Sequence, residues 1–127
     1  MIEGSIFALT LIAAMQAINV AVINRTFLGA FFGTAAACAL LAVASLLSWP
    51  APGALFLLAG STLYLVGTIL VTIAFNVPLN DALAAVEPDS AEGVSLWHRY
   101  LARWTAWNHV RTAAFLLAAA AFMMALR

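Results

Sequence analysis

The residues best suited to chemistry lie in one short stretch near the end of the chain. Residues 104–112 bring together two indoles, an amide, an imidazole and a guanidinium, and the run from 112 to 126 that follows has no charge. If that run enters a membrane, the stretch lies at or just below the interface, where an arginine costs up to about 2.5–3.5 kcal/mol. Such a group needs a path to water or a partner. We therefore take Asn108, His109 and Arg111 as the candidate functional residues.

The composition defines the class of protein. Apolar residues make up 66 % of the 127, charged residues 8 %, and lysine is absent. A soluble domain carries about 25 % charged residues, so an integral membrane protein is predicted. Zero net charge argues against nucleic acid as a partner, because nucleic acid is bound through clustered Lys and Arg. The lone Cys38 lies in an apolar run and has no second cysteine to pair with.

Four stretches are long and apolar enough to be helices that cross or line a bilayer, which takes about 20 residues. We place them at approximately 4–23, 27–49, 54–76 and 95–126, within one domain of residues 1–127. The predicted fold is all-α, a transmembrane bundle of three to four helices packed antiparallel, up and down. The first stretch contains Gln16 and Asn19, so it either spans with a polar face turned inward or lies at the interface.

Breaks between these stretches decide which polar residues meet. Pro50 and Gly53 mark a tight turn, and Pro78 is expected to end the third helix, with a short helix following at 82–86. Two successive hairpins then place the turn at 24–26 and the loop at 76–93 on the same side of the membrane. The polar residues expected on that side are Asn24, Arg25, Asn76, Asn80, Asp81, Asn108, His109 and Arg111.

Helical spacing orders this set further. Trp104, Asn108 and Arg111 follow an i, i+4, i+7 pattern on one face, while His109 lies about 100° to one side of Asn108. Asp81 is the expected counter-charge of Arg111. The simpler interpretation also stands: Trp and Arg near a helix start are ordinary interfacial anchors, and Asn76 and Asn80 are ordinary helix caps.

The second stretch contains a separate motif. Gly29 and Gly33 form Gly-x-x-x-Gly, continued one turn later by Ala37. Small residues at this spacing let two helices approach closely in lipid. A homo-oligomer formed through Gly29 and Gly33 is therefore a hypothesis, and the lipid bilayer is the expected surrounding partner.

Three blocks of the sequence resemble the signature blocks of the anthrone oxygenase-like family of small multi-pass membrane proteins. The blocks are residues 14–19 (Ala-Met-Gln-Ala-Ile-Asn), 75–80 (Phe-Asn-Val-Pro-Leu-Asn) and 104–112 (Trp-Thr-Ala-Trp-Asn-His-Val-Arg-Thr). The family is widespread in bacteria and mostly of unknown function, which implies a bacterial inner membrane as the location. Its members usually have four spanning helices, the first of them before the Gln-Ala-Ile-Asn block. That first helix is expected to be missing or shortened here.

The resemblance implies an activity and roles for residues. Fungal members are implied to oxidise anthrones to anthraquinones with O₂, without metal or flavin. By this implication His109 is the base, Arg111 and Asn108 hold the oxyanion, and Trp104 or Trp107 stacks on a flat, hydrophobic aromatic substrate. The remaining residues of the expected substrate site are Asn19, Asn76, Asn80 and Asp81.

A non-catalytic role is the alternative. In it the chain is a helical-bundle partner or ligand carrier, and Asn76, Asn80 and Arg111 only join helices. Neither hypothesis requires a cofactor, and no Cys, His and carboxylate set has the spacing of a zinc site.

Overall fold

The computed structural model describes the backbone of residues 2–127 and the side chains of residues 6–127. Within this part of the chain four helices follow one another: α1 (Ile2–Ala21), α2 (Arg25–Leu47), α3 (Ala54–Ala84) and α4 (Ala91–Ala125). The predicted all-α class is confirmed. Three of the helices, α2, α3 and α4, are long and apolar enough to cross a membrane. This is a small membrane protein.

Helix α3 is longer than predicted and differs in its interior. It consists of an α-helical part (Ala54–Tyr64), two π-helical parts (Leu65–Leu70 and Thr72–Asn76) and a final α-helical part (Val77–Ala84). The predicted end at residue 76 and the separate helix at 82–86 are therefore wrong. Pro78 does not break α3 because it lies in the first turn of the final part, where its missing N–H is not needed.

Short connections join the helices, and side chains close them. Asn24 accepts a hydrogen bond from the Phe27 amide (2.8 Å) and donates one to the Ala21 carbonyl (3.0 Å), so it caps α2 and holds the end of α1. Ser90 caps α4 by accepting from the Gly93 amide at 2.9 Å. Between α2 and α3 the chain turns at Gly53, whose φ of 81° is in the left-handed region that favours glycine.

Helices α3 and α4 pack antiparallel along their whole length, and their contact has two distinct halves. The apolar half joins Gly53 and the first part of α3, as far as Gly67, to Ala114–Ala125 of α4, and small residues keep the two backbones close. A Cβ placed on Gly60 would lie 2.9 Å from Phe122 Cε1, and one on Gly67 would overlap the Ala114 Cβ. Helix α2 packs on this half, where Cys38, Tyr64 and Ala118 form a buried cluster.

The polar half joins Thr68–Ala84 of α3 to Trp97–Arg111 of α4, and both π-helical parts of α3 overlap or adjoin it. Helix α1 packs here, with Ile12 buried among Leu83, Trp97 and Tyr100. Across the described residues α1 contacts the end of α3 and α4, but not α2. Helices α1 and α2 thus cover different halves of the same α3–α4 pair.

Candidate functional site

The candidate site lies in the polar half, where side chains from three helices meet. Asn76, at the end of the second π-helical part, is 1 % exposed, and its Nδ2 donates to the Trp104 carbonyl at 3.5 Å. Asn76 was a candidate helix cap, but it forms no cap hydrogen bond. It instead joins α3 to α4. Its Oδ1 is buried without a hydrogen-bond partner.

Tyr100 is the centre of the outer part of the site. It is 1 % exposed, its hydroxyl donates to Asn80 Oδ1 at 2.8 Å, and its ring stacks between those of Trp97 and Trp104 at centroid distances of 5.5 and 6.0 Å. Asn80 therefore lies inside a helix and accepts a cross-helix hydrogen bond, so its interpretation as a helix cap is wrong. The Asn19 side chain of α1 faces the same Tyr100 hydroxyl.

Arg111 lies on α4 about two turns after Trp104, where the polar half meets the apolar half. Its Nη1 donates to Asn108 Oδ1 at a long 3.5 Å, and its Nε is buried without a partner. The Thr68 hydroxyl donates to the Arg111 carbonyl at 3.5 Å, and Tyr64 lies near the guanidinium. The Tyr64 hydroxyl donates to the Phe31 carbonyl of α2 at 3.1 Å.

The expected ion pair between Arg111 and Asp81 is not formed. Asp81 is exposed on the final part of α3, whereas the contact of Arg111 on α3 is Thr68, more than three helical turns earlier. In the predicted loop at 76–93 Asp81 could approach Arg111, but the continuation of α3 through Pro78 carries it away. Asp81 is also not brought together with the other residues of the expected substrate site.

His109 and Trp107 take different positions from the buried residues. His109 is exposed, as expected for a side chain to one side of the Asn108–Arg111 face. Trp107 stacks flat on Phe75, with ring centroids 3.8 Å apart and an interplanar angle of 7°. Phe75 is 41 % exposed, so this aromatic pair closes the α3–α4 contact on its outer side.

Four unpaired polar atoms of this half share one property: each is buried and has no hydrogen-bond partner in the protein. They are three donors and one acceptor, Asn19 Nδ2, Trp104 Nε1, Arg111 Nε and Asn76 Oδ1. An unsatisfied buried group costs about 1–3 kcal/mol, and native proteins contain few of them. Among the described residues a fifth such atom, Ser61 Oγ, lies in the apolar half. The concentration of the other four makes the polar half the candidate site.

Two residues close to Arg111 were not singled out from the sequence: Thr68 in the polar half, and Tyr64 at the edge of the apolar half. Thr68 and Tyr64 lie one turn apart inside an apolar span, and polar residues in such a span are a functional signal. The π-helical parts of α3, which are rare and frequent at functional sites, had no visible signature. Among the residues whose side chains are described, no three His, Cys, Asp or Glu residues are grouped to hold a metal ion.

Comparison with known proteins decides the family. A sequence model of the family described as anthrone oxygenase matches residues 22–121, which is most of the chain. The chain belongs to the anthrone oxygenase family. No curated protein and no solved structure matches it significantly. The match includes α2, α3 and most of α4, with all of the candidate site except Asn19.

Proposed function

We propose that this protein is a cofactor-independent monooxygenase that oxidises an anthrone-like or phenolic aromatic molecule taken from the bilayer. The observation that carries the proposal is the set of unpaired buried N–H groups on Asn19, Trp104 and Arg111. Donors held without a partner at fixed positions are suited to a negative charge that appears on a substrate oxygen during reaction. Membership of the family supports the kind of substrate.

The reaction begins with a proton transfer. His109 accepts a proton from the CH₂ carbon of an anthrone, and the electron pair moves through the ring to the opposite carbonyl oxygen. Arg111 and Asn108 donate hydrogen bonds to that oxyanion, and the indole of Trp104 or Trp107 supports the flat ring. His109 holds this proton until the peroxide formed in the next step takes it up.

The remaining steps need only O₂. Dioxygen adds to the carbanion, and the resulting peroxide takes up the proton and becomes a hydroperoxide. Loss of the second C–H proton with cleavage of the O–O bond then gives a new carbonyl group and water. In sum, CH₂ and O₂ become C=O and H₂O, so no external reductant is required.

The test is O₂ uptake by the purified protein in detergent with anthrone. His109→Ala should slow uptake by about 10²–10⁴-fold, the usual contribution of a general base. His98→Ala is the matched control, because His98 is also an exposed histidine of α4, and it should retain full activity. Unchanged uptake in His109→Ala would remove His109 from the mechanism.

A non-catalytic bundle protein or ligand carrier is the second candidate. The exposure of His109 favours it, because the buried donors then have no base beside them. In that case the wild-type protein consumes no O₂ with anthrone. Quenching of tryptophan fluorescence by anthraquinone would then show binding without turnover.

A further inference from the structure

One polar side chain of α1, Gln16, forms hydrogen bonds to the end of α3 and beyond it. Gln16 Nε2 donates two hydrogen bonds, to the carbonyls of Leu83 (2.9 Å) and Val86 (3.0 Å). Leu83 lies in the last turn of α3 and Val86 lies two residues after its end at Ala84, where backbone carbonyls lack the hydrogen bonds of a continuing helix. Gln16 thus caps a helix that is 67 residues away in sequence.

The same face of α1 carries three residues with different roles. Ile12, Gln16 and Asn19 are spaced i, i+4, i+7 and therefore point in one direction. Ile12 is 0 % exposed and fills the space between Leu83 and Tyr100. Apolar packing of this kind holds α1 against the bundle but tolerates rotation, whereas two hydrogen bonds to fixed carbonyls define one rotation and one depth.

Asn19 is the residue whose position depends on this rotation. It lies one turn after Gln16, faces the Tyr100 hydroxyl, and has a buried Nδ2 without a partner. Tyr100 donates its proton to Asn80, and the Asn19 Nδ2 is a buried donor of the polar half that has no hydrogen-bond partner. Helix α1 has no contact with α2 among the described residues, so α2 cannot restore the alignment.

We infer that Gln16 is a positioning residue of the site, which aligns α1 so that Asn19 donates a hydrogen bond to the bound substrate. This inference rests on the proposed function and adds α1 to the catalytic unit. The Leu83 and Val86 carbonyls accept from Gln16, and Asn19 contacts the substrate; Gln16 itself does not.

The test is a set of α1 variants assayed for O₂ uptake with anthrone. Gln16→Met keeps the length of the side chain but removes both donors, and it should lower kcat/KM by about 10- to 100-fold, as expected for a lost hydrogen bond to a charged group. Gln16→Lys should retain activity, because an ammonium group can donate to both carbonyls at a helix C-terminus. Thr10→Val is the matched control, since Thr10 only bonds the Ile6 carbonyl of its own helix.

A double-mutant cycle separates positioning from a general structural role. Asn19→Leu should lower kcat/KM by the same factor as Gln16→Met, and the double variant should be no worse than either single variant. Multiplicative losses in the double variant would overturn the inference, because Gln16 would then act independently of Asn19.

Amide hydrogen exchange tests whether Gln16 holds α1 in place without any measurement of turnover. In Gln16→Met the amides of α1 should exchange faster than in the wild type while those of α2 stay unchanged, and Gln16→Lys should behave like the wild type. Unchanged exchange of the α1 amides in Gln16→Met would overturn the inference that Gln16 holds α1 in place. Absence of turnover in the wild type would instead overturn the proposed function.

Discussion

The two halves of the α3–α4 contact are built from the same pair of helices but obey different rules. In the apolar half, glycine and alanine bring the backbones together, and Gly67 meets Ala114 without space for a Cβ. In the polar half, α3 contains π-helical turns, and four of the five buried polar atoms without partners among the described residues lie here. The apolar half therefore stabilises the fold, whereas the unpaired buried atoms of the polar half lower its stability and leave groups free for the proposed substrate.

The largest effect is expected in the apolar half. Gly67→Leu forces a side chain into the Ala114 Cβ, and overpacking of this kind costs about 1–3 kcal/mol or more. We expect loss of the folded protein, measured by size-exclusion chromatography and thermal unfolding in detergent. Gly29→Leu is the matched control: a Cβ there meets nothing within 4 Å, so the fold should be retained. Equal damage from both variants would refute the special role of this half.

Arg111→Met should separate stability from activity. Removing a donor that holds an oxyanion lowers kcat by about 10²–10³-fold, so O₂ uptake should fall by that factor. Thermal stability should stay equal or rise, because the guanidinium Nε is buried without a partner. Arg127→Met, at the exposed C-terminus, should change neither. A strong drop in stability with Arg111→Met would favour the non-catalytic hypothesis.

Asn76→Leu and Ser61→Ala each remove a buried atom that has no hydrogen-bond partner, one in each half of the contact. Asn76→Leu removes the unpaired Oδ1 and one long hydrogen bond. With a phenolic substrate, whose O–H can donate to Oδ1, we expect O₂ uptake to fall about tenfold with little change in stability, since one substrate hydrogen bond is lost. Ser61→Ala is its counterpart, because Ser61 Oγ is buried without a partner in the apolar half. Ser61→Ala should leave uptake unchanged. Reduced uptake in Ser61→Ala would extend the site into the apolar half.

The smallest effect concerns the hydrogen bond between Tyr100 and Asn80. Tyr100→Phe leaves Asn80 Oδ1 without its 2.8 Å donor, which should lower the free energy of unfolding by about 1 kcal/mol. Unfolding in mixed micelles with increasing SDS measures this change. Tyr64→Phe, which loses a 3.1 Å bond to the Phe31 carbonyl, is the comparison in the apolar half. No change in Tyr100→Phe would mean that the stacked rings alone hold this layer.

Much of the fold followed from hydrophobic length and a few breaks. The predicted stretches 27–49 and 95–126 correspond to α2 and α4 within a few residues, because runs of uncharged residues of that length have few other solutions. The convergence of Asn76 and the 104–112 stretch followed from the order of the hairpins. Pro78 misled the prediction, because a proline that breaks a helix and one that begins a new helical part are indistinguishable until the preceding hydrogen bonds are known.

Part of the site was beyond prediction for the same reason. The spacing of Trp104, Asn108 and Arg111 correctly separated His109 from the buried face. Which buried polar atoms lack a hydrogen-bond partner depends on the contacts between helices, and the sequence does not give these contacts. Asp81 and Arg111 are an obvious pair by charge, but the length of α3 holds them apart.

By itself the sequence determined an all-helical membrane protein with its polar residues gathered toward one end, because apolar length, helical period and short turns are local properties of the chain. Only the tertiary structure decided that α3 runs through Pro78, that Gln16 of α1 caps it, and that four polar atoms of the polar half remain unpaired. The reason is physical: whether a buried donor finds an acceptor depends on how two helices meet, and that is not encoded in either helix alone.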